Sequence, residues 1–246
     1  MKGPVLRSPI TLPKDLDGYV FVVTYGRSGS TLVQNLLNAI DGYCIRGENA
    51  NALVPLAMSW HLLTSNPNVT NAVTRKVPTT SEHPWYGAEE IRAFQYGRNL
   101  ANAFVREVLA PPVGTRVAGF KEIRWTNDPA QFAPTLNFAY KMFPNTRFVF
   151  NTRDHDEVAK SGWWADMSVE AVKAKLARAD AMFAEYLEKH PERGVRIHYN
   201  DYTADLEALK PMYDFLGEPF DRDRVKAVLD TPLTHLKKKA PDADRD

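Results

Sequence analysis

The run Tyr19–Thr24 (YVFVVT) is continuously apolar and β-rich, and it leads straight into Tyr25-Gly26-Arg27-Ser28-Gly29-Ser30-Thr31. An apolar run of this length is what a strand buried on both faces requires. From about Ser30 to Ile40 the spacing changes. Leu32, Leu36, Leu37 and Ile40 place one apolar face on a helix, and Asp41-Gly42 ends it. The unit is therefore a buried strand, a tight glycine turn and a helix.

The same alternation continues along the chain. A short strand is expected at Tyr43–Arg46, followed by Gly47-Glu48-Asn49. Strands are also expected in TRVAGFKEIRW (115–125), PNTRFVFNTRD (144–154) and GVRIHYNDYTAD (194–205). Helices are expected in NDPAQFAPTLNFAYKMF (127–143), VEAVKAKLARADAMFAEYLEKH (169–190) and LEALKPMYDFLG (206–217), the last closed by Gly217. Residues 52–112 break the rhythm. Two helical stretches, 53–63 and 88–110, flank a segment rich in Pro, Asn, Thr and Ser that reads as one long loop at 64–87. Strands alternating with helices imply a three-layer α/β/α domain with a mostly parallel central sheet, spanning residues 1–246 as one domain with 52–112 as a helical and loop insertion and about 237–246 as a flexible tail. In such sheets ligands sit beyond the carboxyl ends of the strands.

Composition narrows the function classes. The net charge of +1 offers no global attraction to nucleic acid or to an anionic membrane, so any anion site is local. Cys44 is the single cysteine, which rules out an internal disulfide and fits a reducing compartment. No stretch reaches the ~18 apolar residues of a membrane span. The N-terminal residues carry charges and prolines where a signal peptide has an apolar run. The expectation is a cytoplasmic protein without a transmembrane segment. Oligomeric state is left open, a homodimer included.

The glycine turn is built for an anion. Gly26 and Gly29 allow a tight turn and close approach of the backbone. The amides of Ser28, Gly29, Ser30 and Thr31 point over the N-terminus of the next helix. The hydroxyls of Ser28, Ser30 and Thr31 add donors, and Arg27 adds a planar cationic fork. The nucleoside-triphosphate loop G-x-x-x-x-G-K-[ST] has a lysine where this chain has Ser30. That argues against magnesium-dependent phosphoryl transfer. A second anion motif ends the strand at 144–154. Arg153 and Ser161 are eight residues apart, and an intervening turn and helix bring fork and hydroxyl to one phosphate.

Together, TYGRSGSTL, RGEN and FVFNTRDHDEVAKSGWW resemble the sulfotransferases that use 3′-phosphoadenosine 5′-phosphosulfate (PAPS), in particular the P-R-S-G-[ST]-T branch with bacterial, carbohydrate and tyrosine-protein enzymes. The resemblance runs from Thr24 to about Gly217, with Gly26 where that branch has proline. It implies a P-loop-like sulfotransferase fold, PAPS as co-substrate, adenosine 3′,5′-bisphosphate as product, and a hydroxyl acceptor on a carbohydrate, glycolipid or small molecule. It implies the 3′-phosphate for Arg153 and Ser161, and the 5′-phosphate for Thr31. Glu48 in RGEN is the expected general base, with His61 and His83 as rivals. Arg27 and Lys121 are expected at the leaving-group charge, and Tyr199 near the nucleotide. Asn200 stands where an acidic residue is usual. Lys237, Lys238 and Lys239 correspond to a basic segment that closes over the 3′-phosphate in relatives. Trp85-Tyr86 is preferred to Trp163-Trp164 as an acceptor contact. No metal-ligand spacing is present, and no metal is expected. Two alternatives stand beside this reading: a P-loop kinase with a degenerate loop, and a nucleotide-binding protein without catalysis.

Overall fold

The computed structural model describes residues 16–232. Its elements run β1 (Gly18–Val23), α1 (Ser30–Asn38), β2 (Tyr43–Arg46), α2 (Leu53–Ser65), α3 (Pro67–Arg75), α4 (Ala93–Phe104), β3 (Val117–Glu122), α5 (Pro129–Met142), β4 (Thr146–Thr152), α6 (His155–Ala159), α7 (Val169–Lys189), β5 (Gly194–His198), α8 (Tyr199–Ala204), α9 (Lys210–Leu216) and α10 (Arg222–Leu229). The five strands form one sheet in the order β2-β3-β1-β4-β5, and every pairing is parallel.

Strand pleating explains the layers. Successive side chains of β1 point to opposite faces. Tyr19, Phe21 and Val23 join a core with Phe120, Phe148 and Phe150, and α2, α4, α5 and α7 cover that face with residues such as Trp60, Phe104, Leu136 and Phe183. Val20 and Val22 join the opposite core, where Leu36 and Leu37 of α1, Met212 and Leu216 of α9 and Val225 of α10 pack. A strand buried on both sides has no polar alternation, hence the unbroken apolar run. Each fully buried phenylalanine contributes on the order of 1.5–3 kcal/mol relative to an exposed one. Because β1 lies between β3 and β4, its carboxyl end is where the connections to α1 and α5 diverge and a crevice opens.

Gly119 stands opposite Val20 where β3 pairs with β1. A Cβ there would lie 1.7 Å from the Val20 carbonyl oxygen, and no rotamer relieves a clash with backbone. Gly119→Ala is expected to lower the unfolding free energy by about 3 kcal/mol. A urea midpoint reduced at constant slope is the readout; an unchanged midpoint would show that the strands separate without cost.

Three segments differ from the sequence-based expectation. The stretch 64–87 is not one loop, since α3 lies within it. Asn66 caps α3 by accepting from the Asn68 and Val69 amides, and Pro67 occupies the first turn. The Asn-Pro pair that reads as a turn is here a helix start. The last strand stops at His198, and α8 follows at once, because Tyr202 turns inward to a fully buried site. The helix α10 beyond Gly217 has no counterpart in the sequence reading. The Lys237–Lys239 run lies outside the described residues.

Candidate active site

The turn between β1 and α1 is locked from behind. Thr24 donates its hydroxyl to the Asn151 carbonyl at 2.6 Å. Asn151 in turn donates its side-chain amide to the Ser28 carbonyl at 2.8 Å and accepts from the Tyr202 hydroxyl at 3.1 Å. Arg27 (φ 67°) and Gly29 (φ 82°) take the left-handed conformation. Gly29 precedes α1 with no side-chain cap, so the first amides of that helix are left for a ligand. A Cβ on Gly29 would meet the Tyr199 ring at 2.2 Å, and one on Gly26 would meet the Trp163 ring at 2.2 Å. Both glycines are required because aromatic rings close on the loop.

Ser28 corrects one expectation. Its side chain is fully buried, and its hydroxyl lies 2.7 Å from that of Thr24. It braces the turn from inside and does not face the cavity. Ser30 and Thr31 do line the cavity, as do Arg27 and Gly29.

The second wall begins where β4 ends. The Arg153 guanidinium stacks on the Tyr199 ring, 4.2 Å from its centroid. Its Nη1 donates to the Arg27 carbonyl at 3.2 Å. Its Nε and Nη2 both donate to Glu157 Oε2, at 3.0 and 2.7 Å. Asn200 joins this group by donating to Glu157 Oε1 at 2.8 Å while accepting from the Asp154 amide. Ser161 does not meet Arg153 directly; it accepts from Arg27 Nε at 3.0 Å, so Arg27 stands between the two motifs. Tyr25 fixes the Arg153 backbone, donating to its carbonyl and accepting from its amide. Burial, reinforced by the nearby Asp180 carboxylate, pushes the Tyr25 phenol far above its ordinary range and keeps it a donor.

The third wall carries the opposed charges. Lys121, near the end of β3, is 8% exposed, and its Nζ donates to Glu48 Oε1 at 2.6 Å. Sequence proximity suggests Glu122 as its partner, but adjacent residues of a strand face opposite sides. Glu48 is no free loop carboxylate: its Oε2 also pairs with Arg124 Nη1 at 2.8 Å. Arg124 bridges onward to Glu122 Oε1 at 3.0 Å. Partial burial works against the Arg124 charge; the carboxylates of Glu122 and Glu48 outweigh it and hold the guanidinium more firmly protonated than usual.

These walls enclose a cleft of about 240 Å³. It gathers Arg27, Gly29, Ser30, Thr31, Glu48, Lys121, Arg153 and Tyr199 from the sequence-predicted set. Gly26, Leu32, Ile123 and Trp163 complete the lining. Ser28, Ser161, His61, His83, Trp85 and Tyr86 are not among its lining residues. His83 accepts from the Trp85 amide in an exposed turn. Trp163, 52% exposed, is the tryptophan at the cleft, while Trp164 is buried and donates to the Gly26 carbonyl. Trp163, and not Trp85 or Tyr86, lines this cleft. Among the described residues, no group of three or more His, Cys, Asp or Glu stands together as a metal site.

A parallel sheet with an anion-ready glycine turn, a second arginine motif and a carboxylate facing a lysine defines a protein that handles a phosphorylated or sulfated group. The chain belongs to the sulfotransferase family, whose model matches residues 19–222. Membership places it among transferases of sulfuryl groups. Among solved structures it is similar to the sulfotransferase domain of the olefin synthase of Synechococcus PCC 7002. The two are 16% identical, with 94% of this chain and 84% of that chain covered and a TM-score of 0.56. It is also similar to the sulfotransferase domain from the curacin biosynthetic pathway, at 15% identity, 86% and 77% coverage and a TM-score of 0.49. At these identities the likeness is one of fold. No curated protein matches the chain in sequence.

Proposed function

We propose that this protein transfers a sulfuryl group from PAPS to a hydroxyl of a carbohydrate, glycolipid or small-molecule acceptor. The observation that carries this reading is the Lys121–Glu48 pair, 2.6 Å apart, on the wall of the cleft that also holds the free N-terminus of α1. An open glycine turn fits the phosphosulfate end of the donor. The amides of Ser30 and Thr31 and the Thr31 hydroxyl hold it, while Arg27 and Lys121 face the charge that grows on the leaving oxygen. Arg153, with Ser161 reached through Arg27, holds the 3′-phosphate, and Tyr199 lies along the nucleotide. Adenosine 3′,5′-bisphosphate leaves as product.

Glu48 is the base in this reading. In the free protein both its oxygens are engaged by Lys121 and Arg124. The donor's sulfuryl oxygens compete with Oε1 for Lys121, so donor binding frees Oε1 to take the acceptor proton while Arg124 keeps Oε2. The insertion at 52–112 forms the acceptor side. Among the described residues no helix is long and apolar enough to cross a membrane; we place the enzyme in the cytoplasm. The test is an assay with sulfate-labelled PAPS against a panel of methyl glycosides, a glycosylceramide and simple alkyl alcohols. Label on at least one hydroxyl is the expected result. Bisphosphate binding without transfer to any member would point to a nucleotide-binding protein instead.

A further inference from the structure

Glu48 sits on a segment that is not in a relaxed conformation. Ala50 (φ 58°) and Asn51 (φ 64°) are consecutive left-handed residues, and neither is glycine. Such residues persist where their surroundings over-determine them, and they cluster at functional sites. The turn leads into α2, which starts at Leu53. Within it, Ala52 donates its amide to Asn49 Oδ1 and to the Asn49 carbonyl. Among the described residues, one side chain holds the turn from outside. Glu122 Oε2 accepts from the Asn51 amide at 3.1 Å. Its other oxygen, Oε1, accepts from the Ile123 amide at 2.9 Å and from Arg124 Nη1 at 3.0 Å.

Glu122 is 1% exposed, at the last position of β3. A carboxylate so buried needs every lone pair engaged to offset its desolvation. Its partners are two backbone amides and the guanidinium that also binds Glu48. Glu122 thus reaches Glu48 by two routes: through the backbone at Asn51, three residues on, and through Arg124. It does not line the cleft. Lys121 lies beside it on the same strand, so the one strand end places the lysine directly and, through Glu122, the carboxylate that faces it.

We infer that Glu122 is a positioning residue: its buried carboxylate holds the left-handed Ala50–Asn51 turn and so sets Glu48 opposite Lys121 for catalysis. The inference rests on the reading of Glu48 as the base. A group displaced by about 1 Å costs catalysis roughly 100-fold even when substrate binding is intact.

A double-mutant cycle on the full chain tests it, with turnover followed on the fastest acceptor of the panel above and affinity followed with adenosine 3′,5′-bisphosphate. Glu122→Gln is expected to lower kcat by about 100-fold and to change the bisphosphate Kd by less than about threefold. In a Glu48→Ala background the same substitution is expected to change kcat by less than about twofold, because a residue acting through Glu48 has nothing left to position. A structural role elsewhere would give the same loss in both backgrounds, and that result overturns the inference. So does an unchanged kcat in Glu122→Gln, or a Kd that weakens in step with kcat. Should Glu122→Gln fail to fold, Glu122→Asp replaces it with the same expectations, since it keeps the charge beside Ile123 and retracts it from Asn51. Failure of the base reading is seen separately: Glu48→Ala alone would then keep full turnover.

Discussion

Glu48→Ala is expected to lower kcat by about 10²–10⁴-fold, the range of a lost general base, and to leave bisphosphate affinity nearly unchanged. The split follows from where Glu48 sits. It shares a cleft wall with Lys121 and makes its ion pairs with Lys121 and Arg124, not with Arg153, Ser161 or Tyr199, the residues assigned to the nucleotide. Arg124 keeps its pair with Glu122 when Glu48 is removed, while Lys121 loses its carboxylate partner on the cleft wall. Steady-state kinetics beside calorimetric binding measure both halves. Full turnover in the variant would remove Glu48 from the chemistry. A bisphosphate Kd weakened as much as kcat would move its role to donor binding.

Lys121→Ala is expected to cost about 10²–10³-fold in kcat, as removal of a fixed charge at a developing oxyanion does elsewhere. The lysine is nearly buried, so its charge acts in a medium that screens it poorly. Lys121→Arg is expected to recover little of the loss, since a planar fork does not replace a compact ammonium on a strand end packed this closely. The same variants separate two roles for the residue. If Lys121 only holds Glu48, then Lys121→Ala in a Glu48→Ala background has no further effect; if it also meets the leaving oxygen, a further loss appears.

The part of this molecule that was legible in sequence is the part set by local pattern. The β1–turn–α1 unit, the parallel sheet and the strand-end placement of Lys121 and Arg153 follow from apolar runs and punctuation. Glu48 and Tyr199 were reached only through family resemblance. What stayed hidden depends on partners distant in the chain. Ser28 reads as a phosphate donor because its neighbours are, yet its side chain turns inward to Thr24. Arg124 and Glu122 lie in a stretch that reads as a strand ending in charge; their joint hold on the 48–52 turn exists only once β2 and β3 are side by side. Arg153 reads as a phosphate fork at a strand end; its partner Glu157, four residues on, comes under that fork only through one turn of α6. Trp163 and Trp85 are equivalent in composition and differ only in which loop lies over Gly26. The α3 helix was masked by Asn66-Pro67, a pair that serves turns and helix starts alike.

The central expectation for this protein is a 3′-phosphorylated nucleotide sitting between the glycine turn and Arg153. Thermal unfolding with adenosine 3′,5′-bisphosphate, beside adenosine 5′-phosphate and beside ATP with magnesium, tests this most directly. At 100 times its Kd the bisphosphate should stabilise the wild-type protein by about 2.7 kcal/mol. The expected result is a rise of several degrees with the bisphosphate, less with the 5′-phosphate at the same concentration, and loss of that difference in Arg153→Ala. No rise with the bisphosphate, or a rise only with magnesium and ATP, would contradict it.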